Sequence, residues 1–236
     1  VALPLANSFD GGAAGTAMTT GNTGGASGNA FDAVTATVPN FGSTSLRLGG
    51  LSADIQAAGN VAWTTSITGT PLTLWGRFYL LITVTPTIGA RIPQFFSPTS
   101  AGASSGFVLV STAAKIQTNA KGGTNILSTT ILTTNTWYRL EFKHTLVVSG
   151  TCTTDCTIYL GDSTTATETM TQATGTGVST DTSINKVQWG STAATPADTV
   201  FFDDVQVNAT GFPGPSPAPL KFPGPHLQAV NRSASY

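Results

Sequence analysis

The chain has 236 residues, of which 40% are hydrophobic and only 9% charged, against a usual charged share of about 25%. Its formal net charge is -1, which excludes the basic footprint of a nucleic-acid binder or of a protein held on an anionic membrane surface. The longest apolar run, Leu80-Leu-Ile-Thr-Val84, is far short of the roughly 20 residues that a spanning helix needs.

The start, Val1-Ala-Leu-Pro4, shows neither a basic cluster nor a long apolar stretch. The expectation is a mature chain, or one that leaves the cell by lysis rather than secretion. Residues 8 to 30 are rich in glycine, threonine and asparagine and read as loop. Short strand-like runs follow at regular spacing. They are Ser45 to Leu48, Val61 to Thr65, Leu72 to Val84, Arg91 to Phe96, Gly106 to Val110 and Ala114 to Gln117. Trp137 to Val147, Cys156 to Leu160, Ile184 to Trp189 and Thr199 to Val207 complete the series. Glycine, proline, serine and threonine clusters separate them, and no segment carries a helical period. Many short strands with turn signals predict an all-β sandwich or barrel.

Two strands show strict alternation. One face of Leu72–Leu80 carries Leu72, Leu74, Phe78 and Leu80, and the other Thr73, Trp75, Arg77 and Tyr79. One face of Trp137–Leu146 carries Tyr138, Leu140, Phe142 and Leu146, and the other Arg139, Glu141, Lys143 and Thr145. Antiparallel strands covered on one side give this pattern. Trp75, Arg77 and Tyr79 thus form a candidate ligand or partner face. Aromatic rings flanked by hydrogen-bonding groups stack on sugars or anchor proteins, and a cluster tucked under a loop fits equally well. Trp63, Trp137 and Trp189 read as core or sandwich-edge residues.

Cys152 and Cys156 lie close together between strand-like segments, and a disulfide closing a hairpin tip is expected, with two free thiols as the alternative. In Thr199 to Val207, strict alternation puts Phe201, Asp203, Val205 and Val207 on one face and Phe202, Asp204 and Gln206 on the other. A carboxylate among apolar neighbours must be paired, protonated or metal-bound. Backbone amides, Arg47 or Arg77 could serve Asp203, and Asp204 reads as solvated. After Asn208 the chain turns proline-rich. A domain over residues 1–210 is therefore expected, followed by an extended arm over 211–236. Phe212, Pro213, Pro215, Phe222 and Pro223 in that arm are expected to tether the protein to neighbouring subunits, the alternative being that the arm lies on the chain's own sandwich.

Four stretches together resemble the concanavalin A-like and laminin-G-like jelly-roll superfamily, found among carbohydrate-binding modules and on bacteriophage virions. They are Ser8-Phe-Asp10, Asn135-Thr-Trp-Tyr-Arg-Leu-Glu141, Val187-Gln-Trp-Gly190 and Val200-Phe-Phe-Asp-Asp-Val-Gln-Val207. The resemblance spans about residues 6 to 210. It implies an antiparallel jelly-roll β-sandwich. It further implies that Asp10 and Asp203 share a structural calcium ion, with backbone carbonyls completing its six to eight oxygens.

An enzyme is not expected from these residues. The only glutamates are Glu141 and Glu168, the Glu-x-Asp-x-Glu pattern of jelly-roll glucanases is absent, and a surface ion pair with Arg139 and Lys143 explains Glu141. His144 and His226 have no nucleophile or metal partner at a suggestive spacing. The expectation is a non-enzymatic structural protein on a bacteriophage virion surface (capsid decoration, minor capsid or tail), homo-oligomeric with other capsid subunits. The alternative is an extracellular or virion-displayed carbohydrate-binding module that recognises glycans.

Overall fold

The computed structural model describes residues 3–19, 21–24, 33–34, 39–42, 50–55, 60–63, 67–96, 104–177, 181–190 and 199–217. All its elements are strands, and no helix among the described residues is long and apolar enough to cross a membrane. In chain order they are β1 (Leu5–Asn7), β2 (Ala33–Val34), β3 (Asn40–Gly42), β4 (Ser52–Asp54), β5 (Asn60–Trp63), β6 (Thr73–Ile82), β7 (Ala90–Phe96) and β8 (Gly106–Val110). Then come β9 (Lys115–Ala120), β10 (Ile126–Ile131), β11 (Tyr138–Thr145), β12 (Thr151–Leu160), β13 (Ala166–Thr169), β14 (Ala173–Thr176), β15 (Lys186–Gly190) and β16 (Val200–Asn208). The larger sheet, A, runs β13-β12-β11-β6-β16-β4-β3, with β1 on β16 and β14 on β12. The smaller sheet, B, runs β10-β9-β8-β7-β15-β5-β2. Every pairing is antiparallel, as the all-β sandwich reading predicts.

The alternation on β6 and β11 decides how the sheets pack. Leu74, Phe78 and Leu80 of β6 and Leu140 and Phe142 of β11 go inward. They meet Ile92, Phe95, Val108, Val187 and Trp189 from sheet B. Four rings form the centre. Phe142 lies 5.2 Å from Phe95 and 6.1 Å from Trp189, and Phe78 lies 6.0 Å from Trp189. Gly76 pairs with Phe142 across the strands, and a Cβ there would stand 2.3 Å from the Phe142 ring. The missing side chain at 76 is thus what lets the ring lie flat beneath β6.

His144 is the polar member of the inner face. It is fully buried and stacked on Phe95 at 4.4 Å. Its two ring nitrogens are 3.0 Å from the Ser105 hydroxyl and 2.9 Å from the Thr154 hydroxyl. Burial lowers its pKa to about 3, so it is neutral. At the sheet edges, Glu168 of β13 accepts the Thr129 and Thr130 amides of β10 at 2.8 and 2.7 Å, joining the two sheets.

Two expectations are corrected here. Cys152 and Cys156 are free thiols, both buried on the inner face of β12. The hairpin turn lies earlier, where the Gly150 amide bonds the Val147 carbonyl. Four residues along one strand separate the cysteines by about 13 Å, twice what a disulfide spans. Burial drives the Cys156 thiol well above its ordinary value, with help from Glu168, Asp155 and Glu141.

The second correction concerns β16. Its register against β6 shifts between Asp203 and Gln206, and Asp204 has φ 45°. This bulge inserts one residue and resets the alternation. Val200, Phe202, Val205 and Val207 face the core, while Asp203 pairs with Tyr79 and Gln206 with Arg77 on the outer face. Asp204 is half-buried in the bulge rather than solvated.

For the arm, which the sequence allows on the chain's own sandwich or on a neighbouring subunit, residues 211–217 are described. They dock on the chain's own sheet A rather than standing free, because the turn after β16 carries them back over that sheet. Phe222 and Pro223 lie outside the described residues.

Candidate active site on the outer face of sheet A

The outward positions of four adjacent strands are polar, and several are buried. In register, one row across the sheet reads Asp203, Tyr79, Arg139, Tyr159, from β16, β6, β11 and β12. The next reads Gln206, Arg77, Glu141, Thr157. Tyr79 is 0% exposed, Arg139 2%, Asp203 2%, and Arg77 and Glu141 5% each. Groups of this kind are seldom buried without partners or purpose.

Arg139 is the centre of this face. Its guanidinium carbon lies 4.1 Å from the centroid of the Tyr159 ring. Its Nε stands 3.2 Å from Glu141 Oε1, yet off the line of a hydrogen bond. Nε and Nη1 of Arg139 and Oε1 of Glu141 are all buried without a hydrogen-bonding partner. The pair is buried, not the surface ion pair expected from the sequence, because Tyr79 and Tyr159 on the flanking strands wall it in. Burial, and after it the Glu141 carboxylate, raise the Tyr159 phenol above its ordinary pKa, and Arg139 opposes them.

Tyr79 donates its hydroxyl proton to Asp162 Oδ1 at 2.5 Å. Asp162 is held over the face by the tight turn after β12, in which the Ser163 amide bonds the Leu160 carbonyl. The Tyr79 oxygen also accepts the Ser216 amide at 3.0 Å. Arg77 donates from Nη1 to the Gly214 carbonyl at 2.8 Å and from Nε to the Asp204 carbonyl at 3.4 Å. Two rows along, the Lys143 ammonium lies 5.6 Å from the centroid of the Trp75 ring.

Of the residues singled out in the sequence, Trp75, Arg77 and Tyr79 do share this face, joined by Asp203 through the bulge. Asp10 is exposed, with Oδ1 accepting the Leu51 amide at 2.6 Å. Asp203 accepts the Asp204 amide at 2.7 Å. Among the described residues no group of three or more His, Cys, Asp or Glu is placed to hold a metal ion. Trp189 is core, and Trp137 is half-buried. The Trp63 side chain and Arg47 lie outside what is described. Tyr159 and Asp162 were missed. The signal for Tyr159 was present, since Cys156 and Ile158 alternate with it and both point inward.

A concavity of about 350 Å³ lies away from this face, lined by Gly122, Gly123, Thr124, Ile126, Thr151, Gln172 and Thr174, among others. Its lining carries no ionisable group.

No protein-family model matches the sequence, and no curated protein matches it either. Solved structures do share the fold. An endo-β-1,4-glucuronan lyase of the fungus Trichoderma reesei superposes with a TM-score of 0.55 at 12% identity, covering 77% of this chain and 92% of its own. The alginate lyase of Aplysia kurodai gives 0.58 at 8% identity, covering 86% and 98%. A Trypanosoma rangeli sialidase gives 0.52 at 12% identity, over 86% of this chain but only 30% of its own. The chain therefore shares the β-sandwich fold of these three proteins. The expectations of a non-enzymatic virion protein and of a simple carbohydrate-binding module are both corrected by these neighbours, whose names are those of carbohydrate-processing enzymes.

Proposed function

We propose that this protein is a polysaccharide lyase that cleaves a uronic-acid glycan by β-elimination on the outer face of sheet A. The observation that carries the reading is Arg139. A buried guanidinium whose Nε and Nη1 make no hydrogen bond, with Nε only ion-paired to Glu141, has room for a ligand, and its planar fork fits a carboxylate. Glucuronan and alginate, named for the two lyases that match over nearly their whole length, are polymers of uronic acids with a carboxylate on each sugar.

The chemistry suits the residues. The C5 proton of a uronate is α to its carboxylate, so its removal loads negative charge onto that group, where Arg139 stabilises it. The C5–H electron pair forms the C4–C5 double bond, the C4–O4 bond breaks, and O4 departs with a proton. No water, oxidant or reductant is consumed. Tyr159, its pKa raised, keeps its proton at neutral pH and serves as donor to O4. Tyr79, on the other side of Arg139 and bonded to Asp162, is the proton acceptor, and the carboxylate takes the proton it gives up. The sialidase likeness covers too little of that enzyme to favour hydrolysis.

The test is to incubate the protein with alginate and with polyglucuronate and follow the ultraviolet absorbance of the unsaturated product. Arg139→Lys keeps a charge beside Glu141 but lacks the fork, and turnover should fall by about 10²–10³. New reducing ends without the absorbance would defeat the lyase reading.

A further inference from the structure

The peptide after β16 touches the site in an unusual way. Arg77 and Tyr79 stand on the outer face of a sheet, yet are 5% and 0% exposed. Part of their cover is residues 211–217. The Gly214 carbonyl accepts from Arg77 at 2.8 Å, and the Ser216 amide donates to the Tyr79 hydroxyl at 3.0 Å. A carbonyl on the cation and a donor on the phenol are the contacts a glycan's carboxylate and hydroxyl would make.

The segment is built to lie there lightly. Pro213, Pro215 and Pro217 have no N–H to offer. Phe212 remains 50% exposed, and Pro215 and Pro217 are exposed too, so no apolar anchor sinks into the core. Gly214 holds a φ of 72°, which bends the chain so that its carbonyl reaches Arg77.

We propose that Arg77 and Tyr79 form a subsite for an anionic oligosaccharide beside Arg139, and that residues 211–217 fill it as an internal occupant which the glycan displaces. The subsite rests on the lyase reading for its ligand class, but the displaceable occupant does not. The occupied fraction of the chain cannot bind, so the apparent affinity is lowered by that fraction.

Two full-length variants test this. Ser216→Pro removes the amide that bonds Tyr79. Gly214→Ala acts through φ alone, since a Cβ there meets nothing within 4 Å. Both leave the sheet untouched. Nitration of Tyr79 by tetranitromethane, mapped by peptide mass spectrometry, should rise about tenfold, and binding of an alginate-derived oligouronate should tighten about tenfold. Unchanged nitration in both variants overturns the displaceable occupant. Raised nitration with unchanged oligouronate affinity overturns the subsite. Tighter binding with no unsaturated product from any variant leaves the subsite standing and sinks the lyase reading instead.

Discussion

Along β11, alternate residues leave for opposite sides of sheet A. Leu140 and Phe142 meet the facing sheet, while Arg139 and Glu141 enter a layer made of neighbouring tyrosines. All four are buried. The inner pair lowers the free energy by leaving water. The outer pair raises it, since two charged groups lose solvent and their buried nitrogens and oxygen are not fully bonded. The difference teaches where to look for function in a sandwich of this kind. Apolar burial explains itself, whereas polar burial on the far side of the same strand asks for a ligand.

The sharpest test of that contrast is Phe142→Ala. It removes the ring that packs on Gly76 and Trp189, and stability should fall by about 3–5 kcal/mol in urea titrations. The Arg139→Lys change, by contrast, should spare the unfolding midpoint and act on turnover. A large loss of stability in both would erase the distinction between the faces.

His144 breaks the contrast from within, as a polar group on the inner face. Its folded pKa is about 3 against an ordinary value of 6.5, so the unfolded chain takes up a proton that the folded one refuses. Stability is fully present above about pH 6.5 and declines as the pH falls towards 3. Between about pH 7 and about pH 4.5 this group alone should remove roughly 2–3 kcal/mol. Urea midpoints at both values check it, and His144→Gln should flatten the difference.

The smallest effect is expected from Asp162→Asn. The Tyr79 hydroxyl keeps a partner, but the amide cannot receive its proton, and turnover should drop by about tenfold with a displaced pH profile. A change in KM alone would mean that Asp162 only binds.

How much was legible follows from which forces act locally. The alternation on β6 and β11 is written in consecutive residues, so the sandwich, the inner face and the grouping of Trp75, Arg77 and Tyr79 could be read directly. The side taken by Asp203 could not, because a single residue with positive φ at Asp204 reverses the count, and nothing in Phe-Asp-Asp-Val demands it. The threonine-rich strands β10, β13 and β14 lack apolar contrast and were passed over. The thiols were misplaced because the turn was sought around them rather than before them. The burial of Arg139 and Glu141 depends on residues about 20 and 60 positions away along the chain, a separation at which periodicity is silent.

The grip of Glu168 on the Thr129 and Thr130 amides has a consequence for how the protein behaves in a crowd. β10 is the outermost strand of sheet B, and Leu127 and Ile131 stand 51% and 64% exposed on it. Two open N–H groups beside two bare aliphatic side chains would be a template on which another copy could add its own strand and start an aggregate. The carboxylate already occupies both donors. Burial draws its pKa upward, but hydrogen bonds from Thr130 and Thr129 outweigh that, and it settles below the ordinary glutamate value. The guard therefore stays on duty through mildly acidic conditions, and the strand is laid open to self-association only when the carboxylate is finally protonated.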